Sequence, residues 1–177
     1  MRCPGLKLTT LIVLTAGLAA PIGSADEHMT GRTRVQSLDA AVLVRLNSIR
    51  AAHGLVPLKL NAALTSAAAV HSTEMLADGY FAHHSVGGSP FWERLARYTR
   101  GAAADSWSVG ENLLWSSPDV DAANALALWM ASPEHERNIL TARWRDVGIA
   151  AIHAGAAPGT YAGRPVTVIT IDFGVRH

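Results

Sequence analysis

The chain has 177 residues, 49% hydrophobic and 16% charged, which is enough for one domain with a real core and too apolar for a disordered chain. Fifteen basic residues stand against 14 acidic ones, and their scatter along the chain excludes a nucleic-acid-binding stripe and a polybasic membrane-binding run. The single cysteine, Cys3, excludes disulfides and cysteine chemistry from the folded domain.

Residues 1–25 read as a signal peptide: Arg2 and Lys7 precede the apolar run from Leu11 to Ala20, and Gly23, Ser24 and Ala25 supply a small-residue cleavage site. The run is shorter than the roughly 20 residues needed to span a bilayer, so no transmembrane anchor is expected after cleavage. Cleavage would remove Arg2 and Lys7, leaving 13 basic and 14 acidic residues and a formal charge of −1. Cys3 precedes the apolar run, so it is not a lipidation cysteine. The domain is expected to be a secreted or periplasmic monomer with no nucleic-acid partner.

Residues 26–37 lack periodicity and read as a flexible lead-in to a domain covering 38–177. Val42, Leu46, Ile49 and His53 then recur at helical spacing, with Asp39 as a start and Gly54 as a stop. Asn47 and Arg50 lie off that stripe and are expected to face solvent. Pro57 breaks the connector, Asn61 caps a second helix that runs to about Asp78, and Gly79 ends it. Leu64, Ala68, His71 and Met75 share one face, which turns His71 inward, either as a satisfied core histidine or as part of a polar site.

Tyr80 to Gly88 is a polar, glycine-rich loop carrying His83 and His84. Ser89-Pro90 then starts a short helix with a Phe91, Leu95, Tyr98 stripe. A loose stretch from Thr99 to Ser108 leads to Val109-Gly110-Glu111-Asn112-Leu113-Leu114. The next helix starts near Asp119 or Asp121 and ends at Trp129-Met130. Ser132-Pro133 supplies an N-cap hydroxyl and a proline at the first helical position, placing His135 in a new first turn. The positive end of that helix is expected to keep the imidazole neutral. Asp146 to Ile152 and Pro165 to Phe173 alternate with period two and read as an antiparallel strand pair joined across Gly155 to Gly163. Helices early and strands late make the class α+β, with helices packed on a small antiparallel sheet.

His83, Glu111 and His135 together form a borderline-soft donor set suited to zinc or a neighbouring divalent metal. The phrases LNSIRAAHGLVPLKLNAALTSAA, HSTEMLADGYFAHHS, GENLL, ALWMASPEHERNIL, RDVGIA and DFG occur in order over residues 39–174. In these the chain resembles the bacterial branch of the CAP superfamily, which includes cysteine-rich secretory proteins, antigen 5 and pathogenesis-related proteins of class 1. The resemblance implies an α-β-α sandwich, a secreted protein, and a central cleft with two histidines and two acids that hold a divalent metal in some members. His83, Glu111 and His135 match three of those four positions. Ser132 stands where the second acid is often found, Glu136 where an arginine often follows the histidine, and Ile171 where a glutamine often precedes the final phrase.

Three functions follow as expectations. The first is a binding module whose cleft, formed by His83, Glu111, His135, His71 and Ser132, takes a lipid, peptide or envelope component, with or without metal. The second is a metal-dependent hydrolase using His83, Glu111 and His135, with Glu134, His84 or His71 as base. The third is a self-satisfied structural cluster in which Glu111 accepts hydrogen bonds from the imidazoles, so that Glu111→Ala costs about 1–3 kcal/mol. The sequence contains no G-x-S-x-G or H-E-x-x-H motif.

Overall fold

The computed structural model describes residues 31–99 and 107–177. The expected signal peptide with Cys3, residues 26–30 of the lead-in, and most of the loose stretch after Thr99 lie outside them. In chain order the elements are β1 (Arg32–Arg34), α1 (Gln36–Ala52), β2 (Lys59–Leu60), α2 (Ala62–Asp78), α3 (Phe91–Thr99), β3 (Trp107–Ser116), α4 (Ala122–Met130), α5 (Pro133–Ile139), β4 (Asp146–Ala154) and β5 (Val166–Arg176).

The strands form a sheet in the order β1-β4-β5-β3, with β2 also on β4. Every pairing is antiparallel except that of the two-residue β2, which runs parallel to β4 and was not anticipated. Alternation along β4 and β5 separates two cores. Val147, Ile149, Ala151, Ile169, Ile171 and Phe173 pack against Val42 and Leu46 of α1 and Leu126 and Trp129 of α4. Ile152, Ala154, Val166 and Val168 face the other way, onto Met75 and Leu76 of α2. Helices therefore cover both faces of the sheet, an α-β-α sandwich of class α+β, as expected. Gly148 lets α2 lie close on β4, because a side chain there would collide with the backbone of Leu64 and Thr65.

The expected caps at Asn61, Gly79 and Asp121 are present. Asn61 Oδ1 accepts from the amides of Ala63 and Leu64, Gly79 adopts the left-handed conformation, and Asp121 Oδ1 accepts from Asn124 N. Asn61→Ala should lower stability by about 1 kcal/mol in a urea titration, since it leaves two amides of the first turn without their acceptor.

Four expectations change. The lead-in ends earlier, because residues 32–34 pair with β4 and α1 begins at Gln36 rather than Asp39. Asp39 lies within the first turn instead, buried, with its carboxylate accepting from Ala151 N and Arg34 Nε. Arg50 does not face solvent: it is fully buried and donates to the carbonyls of Val56, Ile139 and Thr141. Half-buried Asn47 holds Leu58 through both its N–H and C=O. Both side chains satisfy backbone groups of connectors that have no ladder of their own. Finally, the loose stretch stops at Trp107, and the Glu111 motif lies on a ten-residue strand, β3.

Candidate functional site

Glu111 owes its position to strand register. It pairs with Asp172 across β3 and β5, and cross-strand partners share a face, so both carboxyls project toward the α2 and α3 side of the sheet. Both side chains are buried. Arg94 of α3, also buried, donates through Nη2 to Glu111 Oε2, and His83 Nδ1 lies 2.8 Å from Glu111 Oε1. Among the described residues, no hydrogen bond reaches either Asp172 oxygen. Complete burial, reinforced by the Glu111 charge, raises its pKa well above the usual carboxylate range and outweighs the opposing pull of Arg94. Asp172 therefore favours its protonated form beside Glu111.

His83 is held by the chain around it. Gly79 turns α2 into the loop, Thr160 N donates to Gly79 O, and Tyr161 Oη donates to Tyr80 O, so the loop root is tied to a 3₁₀ turn at Gly159–Tyr161. His71 is fully buried; its Nε2 lies 2.9 Å from Ala82 O and its Nδ1 3.4 Å from Glu74 Oε2. Burial disfavours charge on His71, against the opposing pull of Glu111. Burial pushes Glu74 upward, but hydrogen bonds from Tyr80 and His71 bring it below its ordinary value. His71 thus supports the residue preceding His83. The Arg94 guanidinium reaches His83 O from the other side, and the Phe91 ring lies 6.3 Å from the imidazole. With the Glu111 side chain fully buried and that of His83 52% exposed, the ring turns Nδ1 inward and Nε2 outward.

His135 occupies the first turn of α5, behind Pro133. Asn112, adjacent to Glu111 but on the opposite face of β3, donates to His135 O, and Asn138 donates to both Glu111 O and Asn112 Oδ1. Because β3 is an edge strand, these bonds fasten α5 to the strand that carries Glu111. His135 is half-buried. Its protonation is disfavoured by desolvation first and by neighbouring His83 second, with Glu134 opposing. Burial thus favours the neutral ring, the same direction as the effect expected of the helix terminus. Ser132 is the N-cap, but its hydroxyl makes no capping bond, and no hydrogen bond joins it to the cluster among the described residues.

The three-donor metal set does not fit as expected. Both Glu111 oxygens are engaged, one by His83 and the other by a guanidinium that would repel a second cation. Among the described residues, no three His, Cys, Asp or Glu side chains are grouped so as to hold a metal ion. Glu111 stands behind His83 and holds its Nδ1, as carboxylates that orient imidazoles do.

Arg94 and Asp172 belong to the cluster without being among the expected site residues. Arg94 falls at i+3 from Phe91, inside the α3 stripe, and Asp172 lies on the same face as Glu111 once β3 is recognised as a strand.

Residues 43–170 match the model of the cysteine-rich secretory protein (CAP) family. No curated protein sequence matches the chain. Among solved structures, an extracellular protein containing an SCP domain from Bacillus anthracis is 25% identical with a TM-score of 0.60, covering 78% of this chain and 40% of its own. An outer surface protein of Borrelia burgdorferi has a TM-score of 0.65 at 15% identity, over 84% of this chain and all of its own. A cysteine-rich secretory protein of Staphylococcus aureus has a TM-score of 0.51 at 17% identity, over 78% and 38%. The chain thus matches about two fifths of the Bacillus and Staphylococcus proteins.

Proposed function

The chain belongs to the cysteine-rich secretory protein (CAP) family, and from that premise we propose that it is an exported binding module. Its cleft presents the His83 and His135 imidazoles to a divalent metal such as zinc and to a lipid, peptide or envelope ligand. One observation carries the reading: a fully buried carboxylate holds Nδ1 of a half-exposed histidine at 2.8 Å, which fixes the tautomer and turns the other ring nitrogen toward solvent. Beside it, burial keeps His135 in the neutral form a metal requires. A metal held by two imidazoles keeps positions open for groups of a bound ligand. Export is supported by the apolar run at Leu11 to Ala20 and by solved neighbours that are extracellular or outer-surface proteins. No helix among the described residues is long and apolar enough to cross a membrane.

No observation favours hydrolysis. His71, one of the expected bases, is spent on Ala82 O and Glu74. The structural reading is absorbed in part, since Arg94, Glu111 and Asp172 form a buried polar unit behind the rings. Calorimetric titration with zinc should show one ion per chain. His83→Ala or His135→Ala should each weaken it at least tenfold, and Glu111→Gln should weaken it about tenfold at unchanged stoichiometry. Zinc affinity unaffected in a His83→Ala, His135→Ala double variant would overturn the reading.

A further inference from the structure

Between α2 and α3, beside the His83 cleft, lies a groove of about 270 Å³ walled by Val70 and Glu74 of α2, Ser85 and Ser89 of the loop, and Arg94 and Arg97 of α3. Its polar groups are mostly donors. Arg94 is buried, its Nη1 reaches His83 O and Ser85 Oγ, and its Nε–H has no hydrogen-bond partner among the described residues. A buried cationic N–H left unmet is costly. Ser85 Oγ accepts from Arg94, which leaves its own hydroxyl hydrogen to donate outward. Arg97 is exposed and makes no ion pair among the described residues. The one acid in the wall, Glu74, is already engaged by Tyr80 Oη at 2.8 Å, by His71 Nδ1, and by the amide of Val86.

We propose that this groove is a subsite for a carboxylate carried on a small apolar group, such as the C-terminal residue of a peptide whose remaining length runs toward His83. The guanidinium fork of Arg97 matches a planar carboxylate bidentately. The Glu74 charge in the wall disfavours a phosphate dianion, which brings more negative charge than Arg97 alone balances. The volume lies just below the range of about 300–1,000 Å³ typical of small-molecule pockets, so only one or two small residues fit inside. Val70, 48% exposed on the groove wall, supplies apolar surface for a methyl or isopropyl group.

The test is titration of the isotope-labelled full chain with N-acetyl-alanyl-alanine, its C-terminal amide, and inorganic phosphate, all with chelator present. Removing metal separates failure here from failure of the two-imidazole reading. The carboxylate should bind saturably, with shifts centred on Val70, Ser85, Ser89 and Arg97. Arg97→Ala should weaken binding at least tenfold, with Arg97→Lys intermediate and melting temperature unchanged. Equal binding of the amide, a preference for phosphate, undiminished binding by Arg97→Ala, or no saturable binding would each overturn the proposal.

Discussion

Glu111→Ala is expected to destabilise the protein by about 3 kcal/mol or more, measured as a lowered urea midpoint at unchanged slope. The substitution strands the Arg94 guanidinium, buried against Glu111, without its carboxylate. Breaking one partner of a buried pair typically costs about 3–5 kcal/mol, because the remaining charge is desolvated and uncompensated. The lower end applies here, since Asp172 lies close enough to Arg94 to feel its charge and can ionise in Glu111's place. The figure exceeds the 1–3 kcal/mol expected from imidazole partners alone, and Arg94 accounts for the difference. Glu111→Gln keeps one acceptor oxygen, which can serve Arg94 Nη2 or His83 Nδ1–H but not both in their present positions, and should recover only part of the loss.

Asp172→Asn should do the opposite and stabilise the fold. Burial raises the Asp172 pKa well above the usual range, so between the ordinary aspartate value and the folded-state value folding takes up a proton that the unfolded chain does not hold. The contribution of this group is fully present below the ordinary aspartate value and is lost as pH rises through the folded-state value. Over that window the wild type loses up to about 1.4 kcal/mol per pH unit relative to the variant. Asparagine carries no such proton and stays uncharged across this range. Stability curves of the two proteins should coincide near pH 4 and diverge as pH increases. Parallel curves from pH 4 to 8 would show that Asp172 ionises normally in the folded state.

Much of this arrangement is legible in local chemistry. Asn61 and Gly79 bound α2 because capping and left-handed backbone are properties of one or two residues, and the inward turn of His71 follows from helical periodicity alone. The late strand pair is equally plain in its β-branched alternation. What local pattern leaves out is pairing. The Glu111 motif sits on an edge strand whose ends, at Trp107 and Ser116, carry no alternation strong enough to mark it, so its cross-strand partner Asp172 is hidden as well. Arg94 and Arg50 are polar residues on buried faces, and their burial depends on acceptors 17 and 89 residues away in the chain. Periodicity places such side chains but says nothing of distant carbonyls and carboxylates. The same gap explains why Glu111 passes for a metal donor in the sequence: the residue type suits a ligand, and only its geometry makes it the group behind one.

The central claim is that Glu111 orients His83 so that its outer nitrogen and the His135 ring serve one site. Long-range proton–nitrogen NMR of the histidine rings during zinc titration at pH 7 tests it most directly. The account predicts that His83 carries its proton on Nδ1 before zinc is added, and that one equivalent shifts the His83 and His135 rings together while His71 and His153 stay unmoved. A proton on His83 Nε2, or a zinc response confined to one of the two rings, would contradict it.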